Sequence, residues 1–143
     1  MRREDWVERL DAVFRAAQDK PFAWGDFDCC LFAASCVEAV LGFDPGADFR
    51  GAYATRGQAF RLLRRRWGGG VDKLIEDMAA AHGWAEVRPL MARRGDVALV
   101  VADDGWGALA VVDLSGRAAA FPAPKSGLCL VPLATCLRAW RIQ

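Results

Sequence analysis

The chain of 143 residues is long enough for one hydrophobic core, and its 54% hydrophobic and 26% charged content excludes global disorder. A formal net charge of +1 gives no overall drive onto nucleic acid or an anionic membrane, and no apolar run reaches the ~18–20 residues of a membrane span. Met1 leads directly into Arg2-Arg3-Glu4-Asp5 with no apolar stretch behind it, so no secretory signal is expected, the chain is expected to be made in a bacterial cytoplasm, and its five cysteines are expected to be reduced.

Over 3–18, Trp6, Leu10, Val13, Phe14 and Ala17 recur at three- and four-residue steps, which predicts an amphipathic helix that Pro21 stops. A turn ending at Asp28 opens a second helix, about 29–41, with Asp28 as N-cap and Gly42 as the C-terminal stop. Its only polar positions are Ser35 and Glu38, so it is expected to be central and covered on both flanks. A Gly-, Pro- and Asp-rich loop follows. A third helix, about 56–67, turns Phe60, Leu63 and Trp67 inward and Arg61, Arg64 and Arg65 outward; Gly68-Gly69-Gly70 reads as a hinge before a fourth, about 71–82, that ends at Gly83.

From Trp84 the pattern changes to short apolar runs at 85–90, 97–101, 108–114, 117–121 and 127–131, separated by turn residues at 94–96, 103–107, 115–116 and 122–126. Spacing this tight predicts an antiparallel meander, with 97–101 covered on both faces and 137–142 a last strand or short helix. Helices over about 1–83 and sheet over about 84–143 make one α+β domain.

The chemistry concentrates at Asp28-Cys29. A cysteine opening a helix lies in the partial positive charge of the helix N-terminus, which favours the nucleophilic thiolate. The competing reading is a small core residue. His82 is the only histidine; it could serve Cys29 as base or simply cap the last carbonyls of its helix. Cys29, Cys30, Cys36, Cys129, Cys136 and His82 lack the two-residue spacing of zinc knuckles, so neither a metal nor a cofactor is expected. Arg61, Arg64, Arg65 and Arg66 read as a solvated face or a local basic patch, and nucleic acid is not an expected partner. Arg50-Gly51-Ala52-Tyr53 could orient something near the helix start or pack as a loop whose Arg50 pairs with Asp44 or Asp48.

A buried helix opened by Asp28-Cys29, preceded by Trp24-Gly25 and followed by a sheet whose first core strand begins Gly95-Asp96-Val97, resembles the NlpC-type, papain-like cell-wall peptidases over about 20–121. The resemblance implies a papain-like fold with Cys29 as nucleophile, a histidine on the strand after the Gly-Asp strand as base, and a polar residue on the next strand to orient it. Here Ala108 stands at the base position, and Ala118, Ala119 and Ala120 where the orienting residue should be; Cys30 replaces the usual serine. The wider pattern, Phe27 to Ala34, Asp44-Pro45, Phe49 to Tyr53, Ala92 to Asp96 and Leu137 to Ile142, is similar to the branch of this superfamily encoded in tail gene clusters of phages, prophages and gene transfer agents. That resemblance implies a tail-tip protein docked between hub and tip or fibre proteins, with residues near Trp106 and Trp140 as anchors. The alternatives are an active peptidase or amidase on peptidoglycan, its base drawn from His82, Asp26 or a neighbouring subunit, and a stand-alone acyltransferase or amidase.

Overall fold

The computed structural model describes residues 1–102, 105–125 and 127–143; Asp103, Asp104 and Ser126, which fall in two of the expected turns, lie outside the described residues. Four helices come first: α1 (Trp6–Gln18), α2 (Cys29–Leu41), α3 (Arg56–Trp67) and α4 (Val71–His82). Six strands follow: β1 (Glu86–Val87), β2 (Val97–Val101), β3 (Gly107–Val112), β4 (Ala118–Ala123), β5 (Gly127–Pro132) and β6 (Arg138–Trp140). The molecule is α+β, with one antiparallel sheet in the order β1-β6-β2-β3-β4-β5.

The helix ends follow their capping chemistry. The Asp28 side chain accepts from the Leu31 N–H and Thr55 from the Gln58 N–H, while Gly42, Gly68 and Gly83 close α2, α3 and α4 in the left-handed conformation. Gly68 to Gly70 is therefore no free hinge, because Gly68 is the C-cap of α3 and Gly70 the N-cap of α4. Helix α2 buries Leu31, Phe32, Cys36, Val37 and Val40, each large side chain contributing about 1.5–3 kcal/mol of transfer free energy.

Strands β2 to β5 form the expected meander, but β6 returns across the sheet to pair with both β1 and β2. Strand β1 is shorter than the apolar run suggested, because Pro89 has no N–H for a ladder and opens a 3-10 turn, Pro89–Met91. Alternation along the strands splits the core in two. Val97, Leu99, Leu109, Val111 and Trp140 meet the helices, whereas Ala98, Val100, Ala108, Ala110, Ala119 and Phe121 form a second, alanine-rich layer with Leu133 and Cys136. Trp140, expected as a surface anchor, is only 2% exposed because β6 is an interior strand of the sheet; Trp106, at 54%, is exposed. No described helix is long and apolar enough to cross a membrane.

One departure from regular pairing shapes the site. The β3–β4 ladder joins Val111 to Ala120 and Val112 to Ala119, while Phe121, Pro122 and Ala123 pair only with β5. Pro122 can sit there because its missing N–H removes nothing from the β3 side. The start of β3 and the end of β4 thus part beside the N-terminus of α2.

Candidate functional site

The parted strands, the start of α2 and the inner face of α3 enclose an apolar cleft of about 130 Å³. Its lining includes Trp24, Cys29, Phe60, Trp106, Ala108 and Phe121. The aromatic rings form a chain: Phe22 on Trp24 at 4.9 Å, Trp24 on Phe60 at 6.3 Å, and Phe60 on Trp106 at 5.0 Å between centroids, with the Arg56 guanidinium over the last two. The sequence pattern singled out Trp24 and Trp106 but gave no sign of their link through Phe60, which depends on α3 lying beside β3.

Asp28 is 1% exposed, and both carboxylate oxygens are engaged. Oδ1 accepts from the Leu31 N–H at 3.0 Å; Oδ2 accepts from the Gly25 N–H at 3.0 Å and the Tyr53 hydroxyl at 2.5 Å. One carboxylate therefore starts α2, closes the Trp24-Gly25 turn and tethers the loop after α2. Burial and the adjacent Asp28 charge push the Tyr53 phenol far above its ordinary value, so it stays a protonated donor. Gly25, at φ +81°, is required here: a Cβ would stand 1.8 Å from the Tyr53 carbonyl oxygen. Arg50 lies outside the cleft lining and is bonded to Asp44 and to the Ser35 hydroxyl, so the packed-loop reading holds for Arg50 while Tyr53 reaches the helix start.

Cys29 is half-buried and packs against the alanine-rich layer that contains Ala108 and Phe121. Its sulfur is 3.9 Å from that of Cys30. A hydrogen bond with the Cys30 thiol, helped by the backbone of Leu109 and Cys30, holds the Cys29 thiol below its ordinary value despite burial and the Asp28 charge. The same bond and burial push the Cys30 thiol well up. Burial alone raises Cys36 and Cys136, which behave as core residues.

The expected partners of the nucleophile are elsewhere. Strands β3 and β4 read Gly-Ala-Leu-Ala-Val-Val and Ala-Ala-Ala-Phe-Pro-Ala, with no ionisable side chain. His82 does not line the cleft; it is stacked between Phe43 at 4.8 Å and Trp84 at 5.1 Å. Phe43 follows the C-cap of α2, so the length of that helix, roughly 20 Å, separates the stack from the Cys29 end. This corrects the reading of His82 as a displaced base. Asp26 is also outside the lining and faces solvent beside Lys20 at 3.7 Å. Among the described residues of the cleft, the ionisable groups are Asp28, Cys29, Cys30 and Tyr53.

The Gly-Asp step has a different role from the cleft. Asp96 is fully buried and accepts from Arg2 and the Ile142 N–H on Oδ1, and from Arg141 and the Arg93 N–H on Oδ2. It ties both ends of the chain to the start of β2.

A family model described as a domain of unknown function, DUF6950, matches residues 1–142. The chain belongs to that family. No curated protein matches it.

Proposed function

We propose that this DUF6950 chain is a tail-tip component of a phage-type particle, built on an NlpC-type, papain-like scaffold that serves assembly and does not turn over peptide. The observation that carries the non-catalytic part is the chemistry of the cleft. Amide cleavage by a thiol requires a group to take the thiol proton and return it to the leaving amine. Of the cleft's other ionisable groups, Asp28 is consumed in three hydrogen bonds, Tyr53 is held protonated and Cys30 is raised. Among the described residues of the cleft, none is therefore placed to take the thiol proton and return it. The tail location rests on the sequence likeness quoted above, with hub and tip proteins as the partners.

A second reading, an active peptidase or amidase on peptidoglycan, draws on the lowered Cys29 thiol and would need its base from a neighbouring subunit. Two measurements on particles from a producing strain decide between them. Mass spectrometry should find the chain in purified particles at a fixed ratio to the hub protein, and peptidoglycan incubated with those particles should release the same fragments whether Cys29 is native or serine. Absence of the chain from particles removes the tail reading; Cys29-dependent fragments establish the enzyme.

A further inference from the structure

Helix α3 carries five arginines, Arg56, Arg61, Arg64, Arg65 and Arg66, and no acidic residue. With a net charge of +1 on the whole chain, those five positive charges leave the remaining residues at −4. Arg56 is engaged at the aromatic rim of the cleft. Arg61, Arg64, Arg65 and Arg66 are all exposed, and no described carboxylate forms an ion pair with any of them. Several arginines elsewhere are paired, among them Arg9 with Asp5, Arg15 with Asp11, Arg50 with Asp44, Arg138 with Glu76 and Glu86, and Arg141 with Asp96; Arg88, Arg93, Arg94 and Arg117 also lack a described carboxylate partner, but they are not gathered on one helix face.

The last turn of a helix favours cations, which accounts for one or two of these side chains. It does not account for Arg61, which precedes that turn, nor for the repulsion between Arg61 and its neighbours three and four residues on. Arg66 lies over the rings of Phe49 at 4.9 Å and Trp67 at 5.5 Å, cation–π contacts that hold its charge at the end of the same face.

We infer that the outer face of α3 is a docking surface for a short, carboxylate-rich segment of another protein. Charge complementarity gives the sign of the partner, and arginine's planar fork suits bidentate carboxylates. Geometry limits its length: Arg61 to Arg66 span roughly 8 Å of helix axis, and fields beyond a Debye length of ~8–10 Å are screened. A short acidic segment therefore meets only the patch, whereas a long polyanion such as nucleic acid must also run along the rest of the chain, whose residues sum to −4 in formal charge, Asp28 and Asp96 among them being buried. The inference is independent of the proposed function and of Cys29.

The test is fluorescence anisotropy of a labelled ten-residue Glu/Asp peptide with the full chain at low and physiological salt, against a single-stranded DNA of equal charge. Sedimentation of the chain alone is run alongside. Arg61→Gln/Arg64→Gln/Arg65→Gln changes only solvent-facing side chains and is checked by circular dichroism. The peptide is expected to bind, to weaken with salt, and to weaken about tenfold or more in the triple variant, while the corresponding lysine variant loses less. No peptide binding by the native chain, undiminished binding by the folded glutamine variant, tighter binding of DNA, or self-association abolished by the variant would each overturn it.

Discussion

At the scale of single residues, the cleft is governed by which protons are held and by whom. The Cys29 and Cys30 sulfurs share a hydrogen bond in which either thiol can donate, and that bond is the main cause lowering the Cys29 thiol, so Cys30→Ala is expected to raise it. Iodoacetamide labelling with site-resolved mass spectrometry should follow a midpoint that moves upward from the native chain to Cys30→Ala. An unchanged midpoint would mean that the pair is not coupled. Tyr53 is the only tyrosine, so phenolate absorbance near 295 nm reports it alone. Its folded pKa is raised, which favours the neutral form. Stability is therefore unaffected below the unfolded value of ~10 and falls above it by up to ~1.4 kcal/mol per pH unit, as the unfolded chain releases a proton that the folded chain keeps. Native protein at pH 11 should show little phenolate, with its absorbance appearing together with unfolding. A reversible titration near pH 10 in folded protein would contradict the Asp28–Tyr53 bond.

At the scale of elements, the Trp24-Gly25 turn and the loop ending at Tyr53 fit only because no side chain separates them. Gly25→Ala meets the Tyr53 carbonyl at 1.8 Å, while Gly83→Ala, also at positive φ, meets nothing within 4 Å. The left-handed conformation costs an L-residue about 1–2 kcal/mol at either site, so denaturant unfolding should find Gly83→Ala near that value and Gly25→Ala beyond it. Equal losses would show that the loop moves aside freely. These contacts also mark the limit of what was legible in the chain itself. The four helices could be read because hydrophobic period, caps and glycine stops agree within each segment. The apolar run over 85–90 overstates strand β1, because Pro89 within it has no N–H for a ladder. Strand β6 is too short for its alternation to establish which face Trp140 takes, hence its misplacement on the surface. Asp28 was legible as an N-cap, but its bond to Tyr53 spans 25 residues and leaves no local pattern.

Across the whole molecule, Asp96 joins segments far apart in the chain. One carboxylate receives Arg2 near the N-terminus, Arg141 and the Ile142 N–H near the C-terminus, and the Arg93 N–H of the preceding turn. Arg2 and Arg141 keep side-chain exposures of only 18% and 16%, so each depends on that carboxylate for most of what water would supply. Desolvation alone would lower the Arg2 pKa, and the Asp96 charge opposes it. Replacing Asp96 with Asn preserves shape and removes the charge, leaving two partly buried guanidinium groups beside each other. Breaking a buried ion network from one side costs about 3–5 kcal/mol, so urea unfolding at neutral pH should show a loss in that range. The exposed pair Arg15–Asp11, at 80% and 44% exposure, is the comparison: Asp11→Ala should leave the midpoint unchanged. If both variants behave alike, Asp96 is not the clasp that holds the two termini on the sheet. If they differ as expected, the Gly-Asp step at the start of β2 is the clasp that holds both termini on the sheet.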